Sequence, residues 1–191
     1  MSLEFNRRSF LKYSAAAAVA VAGSSLLVGC GEDEYQKTGK IGSTLKLMGT
    51  FRMYDNPAPT FNPDANNTNG TFTCKLNIKC TTKKVPLYVA AGCFQLTVIH
   101  DGKKTNYADS GYVTVDKPNF KLAEKDDAED FTITVKGNAS NPLNIVAGDK
   151  VEFMYWPRIQ ASSGNSGYTR AFCTWKMTVD STVTTGNTYL K

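Results

Sequence analysis

Thr71-Phe72-Thr73-Cys74-Lys75-Leu76-Asn77-Ile78-Lys79-Cys80 alternates polar and apolar residues for ten positions without a break. Side chains of a β-strand point to opposite faces in turn, so this spacing puts Phe72, Cys74, Leu76, Ile78 and Cys80 on one face. The threonines, lysines and Asn77 take the other. The stretch therefore predicts a strand with one dry and one wet face, as in an antiparallel sheet packed on a core from one side. Working outward, the same period of two recurs at Leu45 to Tyr54, Phe94-Leu96-Val98, Tyr112 to Val115, Phe131-Ile133-Val135, Val151-Phe153-Tyr155 and Cys173-Trp175-Met177-Val179. No ten-residue segment after residue 42 carries a helical stripe. Asp101-Gly102 is a dipeptide favoured in type I′ hairpin turns. Ala147-Gly148-Asp149 reads as another turn, with Leu143 and Val146 closing that end of the core. Seven to nine strands separated by turn signals predict an all-β fold, an antiparallel sandwich.

The 191 residues are 41% hydrophobic and 11% aromatic, which excludes wholesale disorder. The length suits one domain of ordinary size. The strand pattern resembles the immunoglobulin-like sandwiches of bacterial surface lipoproteins. Asp109-Ser110-Gly111-Tyr112 is similar to a tyrosine corner, with the tyrosine three residues after the aspartate instead of four and no cysteine following. No repeat recurs at a fixed period.

The first 29 residues read as an export signal. A basic start is followed by an Ala-rich, weakly apolar run from Tyr13 to Gly29, too poor in large apolar residues for a membrane span. Arg7-Arg8-Ser9-Phe10-Leu11-Lys12 resembles the twin-arginine (Tat) motif, with Asn6 where Ser or Thr is favoured. Leu27-Val28-Gly29-Cys30 resembles the lipobox of bacterial lipoproteins. That resemblance implies cleavage before Cys30, diacylation of its sulfur, and two acyl chains holding the protein at the outer side of a bacterial membrane. Residues 30–42 then read as a lipidated cysteine and polar tether, about 19 Å in r.m.s. span for twelve flexible residues. Residues 43–191 read as the sandwich. Residues 1–29 hold Arg7, Arg8, Lys12 and Glu4, so the remainder carries 19 basic and 16 acidic side chains, net +3. With no basic cluster beyond Lys83-Lys84 and Lys103-Lys104, nucleic acid is disfavoured as a partner.

Without Cys30 an even set remains: Cys74, Cys80, Cys93 and Cys173, which in an oxidising compartment points to disulfides. Cys74 and Cys80 stand about 20 Å apart along a continuous strand, beyond the roughly 7 Å a bridge allows. The preferred pairing is Cys80–Cys93 with Cys74–Cys173. The alternatives are Cys74–Cys93 with Cys80–Cys173, or buried thiols. No C-x-x-C spacing favours a metal centre.

One histidine in the chain removes most histidine-dependent catalysis. His100 adjoins Asp101, yet neighbours on a strand face opposite ways, and no nucleophile elbow accompanies them. The acidic run Glu124 to Asp130 and the loop Asn62 to Gly70 hold oxygen ligands without EF-hand spacing. Trp156, Arg158, Tyr168 and Arg170 bracket a Ser/Gly-rich connection of about twelve residues. Flat aromatics beside guanidinium forks recognise sugars, peptides and carboxylates, which makes these four the candidate ligand-binding residues. A second long connection, Asp55 to Gly70, is expected beside it. No cofactor motif, haem site or iron–sulfur spacing is present in the sequence. The expectation is a lipid-anchored extracytoplasmic binding or assembly module, without catalytic activity, for a protein or glycan at the cell surface. The alternative is an accessory subunit of a membrane-bound, Tat-exported redox enzyme. A glycosidase working through two carboxylates would need the fold to bring them together.

Overall fold

Thr71–Cys80 forms one unbroken strand, and the alternation in its sequence is also its burial. Phe72, Cys74, Leu76, Ile78 and Cys80 are buried, and the five residues between them are half-exposed. The computed structural model describes residues 36–47, 49–63, 69–81, 87–117, 120–156, 158–160, 166–168, 172–179 and 188–189. All of them lie in the second of two units into which the chain divides after Gly31. Among the described residues run sixteen strands: β1 (Gln36–Gly39), β2 (Thr44–Lys46), β3 (Gly49–Met53), β4 (Thr60–Asn62), β5 (Thr71–Cys80), β6 (Leu87–Val89), β7 (Phe94–His100), β8 (Lys103–Ala108), β9 (Val113–Val115), β10 (Phe120–Leu122), β11 (Ala128–Lys136), β12 (Lys150–Tyr155), β13 (Arg158–Gln160), β14 (Ser166–Tyr168), β15 (Phe172–Thr178) and β16 (Thr188–Tyr189). A short 3-10 turn at Ala91–Cys93 leads into β7.

The all-β class expected from the alternation is what forms. One sheet has the order β1-β15-β12-β7-β8, a second runs β16-β4-β5-β11-β9 with β3 and then β2 added beside β5, and a small third sheet runs β10-β6-β13-β14. The first two face each other through aromatic rings. Phe72 of β5 stacks on Phe153 of β12 with centroids 5.7 Å apart, Phe131 of β11 meets Phe94 of β7 at 5.9 Å, and Phe51 of β3 meets Tyr155 of β12 at 5.1 Å. These rings are buried, each contributing roughly 1.5–3 kcal/mol of apolar burial. Trp175 of β15 is also buried, and its Nε1–H donates to the Ser43 carbonyl at 3.3 Å, tying the core to the turn before β2. The third sheet closes onto the same core through Leu87, Val89 and Leu122. Leu87 comes so near β3 that a Cβ on Gly49 would sit 2.8 Å from its Cδ1 and 2.5 Å from the Lys79 carbonyl oxygen.

The Asp101-Gly102 hairpin forms as read: His100 pairs with Lys103, and the turn residues take φ of 47° and 79°. The Ala147-Gly148 turn forms too, with Gly148 at φ 92° and the Asp149 N–H donating to the Val146 carbonyl at 3.1 Å. Several expectations need correction. Residues 36–39, assigned to the tether, form β1, which pairs parallel with β15, so the first sheet is mixed. The single strand expected over Leu45 to Tyr54 is the hairpin β2–β3. The strands outnumber the seven to nine expected, because short pieces such as β6, β10, β13 and β14 are too brief to show a period. At the Leu143 end it is Leu143 and Ile145 that are buried, while Val146 is 39% exposed.

No disulfide is formed among the described residues, so the expected bridges Cys80–Cys93 and Cys74–Cys173 are absent from the structure. Cys80 ends β5 and Cys93 directly precedes β7, and those two strands lie in different sheets with β6 of the third sheet between them in sequence. Cys74 stands opposite Ile133 in the middle of its sheet, whereas Cys173 stands opposite Tyr155 in the facing one. Both thiols are buried. Burial pushes Cys74 far above its ordinary range and Cys173 up to about 12.

Candidate functional site

The connection after β12, expected to be loose, contains a hairpin of β13 and β14 in the third sheet. Its register answers where the candidate residues stand. Arg158 is directly opposite Tyr168 on β14, and on its other side directly opposite Tyr88 of β6. Tyr88 in turn is opposite Lys121 of β10. Lys121, Tyr88, Arg158 and Tyr168 are thus successive register partners across all four strands, about 14 Å from end to end at the usual strand spacing. The alternate positions of β6, Leu87 and Val89, are buried in the core. Trp156 lies just before β13, half-buried, and its N–H donates to the Cys93 carbonyl at 2.7 Å. Arg170 lies outside the described residues, as does the middle of the Asp55 to Gly70 connection. The described part of that connection holds β4, in another sheet. Sequence reading found Arg158 and Tyr168 but missed Tyr88 and Lys121. The only signal for them was that each sits between two apolar residues, in Leu87-Tyr88-Val89 and Phe120-Lys121-Leu122.

A second arrangement forms around His100. Its Nδ1 lies 2.7 Å from Oδ1 of Asp149, a carboxylate only 4% exposed, whose Oδ2 accepts the Val146 N–H at 2.9 Å. Asp101 Oδ2 is 3.5 Å from Nε2. The hydrogen bond to Asp149, then the charges of Asp149 and Asp101, hold the imidazole above its ordinary pKa. The pair borders an open recess of about 430 Å³ lined also by Val98, Thr105, Tyr107 and Pro142. The Tyr107 hydroxyl donates to the Pro142 carbonyl at 2.8 Å. The orienting carboxylate for His100 is thus Asp149 across the sheet end, with Asp101 a lesser neighbour. Among the described residues no hydroxyl or thiol hydrogen-bonds to the imidazole. The arrangement offers a proton carrier with no aligned nucleophile.

The acidic run is engaged with cations and amides of the outer face of the second sheet. Asp130 accepts from Asn77 Nδ2 at 2.7 Å and from the Tyr54 hydroxyl at 2.9 Å, and pairs with Lys75 at 3.3 Å. Burial alone would raise its carboxyl. The hydrogen bonds from Asn77, Tyr54 and Lys75 overcome that and hold it below its ordinary value. Lys75 and Arg52 also lie 5.0 and 5.4 Å from the Tyr54 ring centre. Asp126 pairs with Lys79 at 2.9 Å, which lowers its carboxyl, and Glu129 pairs with Lys117. Among the described residues no three His, Cys, Asp or Glu side chains gather as a metal site would require.

The export residues Arg7, Arg8, Phe10, Leu11 and Lys12, and the lipobox cysteine Cys30, lie outside the described residues. Residues 4–24 match the family described as the TAT (twin-arginine translocation) pathway signal sequence. No curated protein matches the chain. Among the described residues no helix is long and apolar enough to cross a membrane.

Proposed function

We propose that this chain, exported across the cytoplasmic membrane under its twin-arginine signal, is a lipid-anchored extracytoplasmic binding or assembly module with no catalytic activity. Cleavage before Cys30 and acylation of its sulfur anchor residues 30 onward to a bacterial membrane. Its sandwich, of the immunoglobulin-like kind, meets a protein or glycan at the surface. The observation that supports binding is the register that sets Arg158 opposite Tyr168 on one side and Tyr88 on the other within the third sheet. Among the described residues no nucleophile is aligned with His100 and Asp149, which supports the same reading over a hydrolase. The second reading is an accessory subunit of a Tat-exported enzyme complex, favoured by the signal itself, since that route serves folded and cofactor-loaded cargo. Cross-linking the native protein in mild detergent and identifying its companions by mass spectrometry separates the two. A binding module is recovered at monomer mass or with surface material. A reproducible exported enzyme at fixed stoichiometry replaces it with the accessory subunit. Cys30→Ser tests the anchor: it should move the protein from the membrane to the soluble extracytoplasmic fraction.

A further inference from the structure

The recess beside His100 holds about 430 Å³, within the roughly 300–1,000 Å³ of small-ligand sites. Part of its wall is the segment from Pro142 to Asp149, which the rest of the fold fastens at several points. The Leu143 N–H donates to Asn69 Oδ1 at 3.3 Å, the Leu143 carbonyl accepts the Gly70 N–H at 2.7 Å, and the Pro142 carbonyl accepts the Tyr107 hydroxyl. Leu143 and Ile145 are buried in the core, while Asn144 and Val146, which alternate with them, are exposed and border the recess. Thr105 of β8 and Asn141 border it as well. Among the described residues neither the Thr105 hydroxyl nor the Asn144 amide makes a hydrogen bond, and Asn141 uses only its Nδ2, on the Asn106 carbonyl at 3.4 Å. Fastened backbone thus shapes the hollow, and uncommitted neutral polar groups line it.

Charge narrows the class of ligand. Among the described residues that border the recess, His100 is the only group able to carry positive charge, and it already faces Asp149 Oδ1 at 2.7 Å and Asp101 Oδ2 at 3.5 Å. Asp149, 4% exposed, has its second oxygen on the Val146 N–H. An anion would meet two carboxylates, and a cation would compete with the imidazole already in place, so the recess favours a neutral ligand. Val146 is 39% exposed, an apolar surface two positions from the free Asn144 amide. An amide beside an apolar side chain matches a methyl group carried on an amide: Asn144 can both donate to a carbonyl and accept from an N–H, while Val146 covers the methyl. Thr105 and Asn141 remain for hydroxyl groups. We infer that the recess binds a neutral N-acetylhexosamine unit of a glycan, with Asn144 and Val146 on its acetamido group and Thr105 and Asn141 on its hydroxyls. A peptide backbone also carries amides, but it offers no hydroxyls to the latter pair. This assignment rests on the binding-module reading above and names its ligand.

The test follows amide chemical shifts of the exported, isotopically labelled protein in mild detergent, with triacetylchitotriose, cellotriose and N-acetyl-trialanine amide as probes. Triacetylchitotriose is expected to bind with a Kd of about 1 mM or below and to shift amides in residues 98–107 and 141–149, which border the recess. Cellotriose has the same rings and linkage with hydroxyls in place of acetamido groups, and should bind at least about fivefold more weakly. Raising the salt about tenfold should change the affinity less than about twofold, because the ligand is neutral. Asn144→Ala and Val146→Ser should each weaken triacetylchitotriose binding about three- to tenfold. Both positions are exposed, so the fold survives these changes, which circular dichroism checks. Thr114→Val, at an exposed position of β9 in the second sheet, should leave binding within about twofold. Equal affinity for cellotriose would remove the acetamido group from the argument and overturn the proposal. No binding of triacetylchitotriose, shifts centred outside the recess, or an equal loss for Thr114→Val would overturn it as well. Tighter binding of the peptide probe would assign the recess to a peptide segment instead. Each of these leaves the binding-module reading to the cross-linking experiment, which fails separately if an exported enzyme is the constant companion.

Discussion

Two buried tyrosines should respond with opposite sign to loss of one oxygen. Tyr155 is completely buried at the end of β12, and its hydroxyl has no hydrogen-bond partner among the described residues. Burial pushes its phenol well above the ordinary value, and the neighbouring thiols of Cys93 and Cys173 act in the same direction. A hydroxyl taken from water without a partner costs about 1–3 kcal/mol. Tyr155→Phe removes that cost. The hole left by one oxygen, at about 24 cal/mol per Å³, returns only a few tenths of a kcal/mol of it. The ring and its contacts with Phe51 and Phe94, at 5.1 Å each, stay in place. The variant should therefore be more stable by about 1–2 kcal/mol, a rise in Tm of about 3–6 °C for a domain of this size. Tyr107 is the control. Its hydroxyl donates to the Pro142 carbonyl at 2.8 Å, so Tyr107→Phe should lose about 0.5–1.5 kcal/mol. Guanidinium denaturation of the exported protein reads both as shifts in midpoint at constant slope. A destabilised Tyr155→Phe would refute the reasoning, because it would mean that the hydroxyl has a partner in solution.

Gly137→Ala should destabilise by at least about 2 kcal/mol, because its Cβ would lie 2.1 Å from the Leu143 nitrogen and 2.7 Å from the Asn141 carbonyl, both backbone. Gly102→Ala, with open space around it and φ of 79°, should cost only about 1–2 kcal/mol in the same denaturation assay. Stability near neutral pH should fall as pH rises. His100 has a raised pKa in the fold, so its contribution is complete below the ordinary histidine value and is lost as pH climbs through the folded one. Asp149→Asn should flatten that slope, and an NMR titration of the imidazole should show its pKa return toward 6.5. In acid the sign reverses for Asp130, whose lowered pKa contributes stability that disappears as pH falls through it, an effect Asp130→Asn should remove. Alkylation under denaturing conditions, followed by peptide mass spectrometry, should find Cys74 and Cys173 as thiols. Protection of either would contradict the core described above.

What the sequence made legible follows from where each strand sits. β5 has one face in the core and one in solvent along its whole length, so ten residues spell out its period. β7 is covered on both faces near its start, with Gln95 and Thr97 buried as well as Phe94, Leu96 and Val98, and only its apolar positions could be read. β1 buries no residue completely, so Gln36-Lys37-Thr38-Gly39 gave no apolar signal, and its place comes from parallel pairing with β15. At the candidate site, Arg158 and Tyr168 were legible as residue types but not as neighbours. Their registration depends on a hairpin closed by a Ser/Gly-rich segment that carries no period. Tyr88 and Lys121 come into register with Arg158 by pairings more than thirty residues apart in sequence, and Asp149 reaches His100 across forty-nine. Local alternation fixes which face a residue takes. It does not fix which strand stands next to it.

The cysteines show the same limit acting on chemistry. An even set of four in an exported chain argues for disulfides only if the sulfurs meet an oxidant before the core closes. The match to a twin-arginine signal implies the opposite order, because that route carries chains already folded. Cys74 is 2% exposed and Cys173 is wholly buried. Exchange proceeds through the thiolate, and burial has moved both thiols far from forming one at neutral pH. Crossing into an oxidising compartment then changes nothing for them: the solvent is different, but they are not in it. Phe72, Phe131, Phe153 and Trp175 fill the same core, so Cys74 and Cys173 act there as small apolar side chains. Compartment alone predicts bridges. Compartment together with the order of folding and export predicts buried thiols, and the latter is what the structure contains at these two positions.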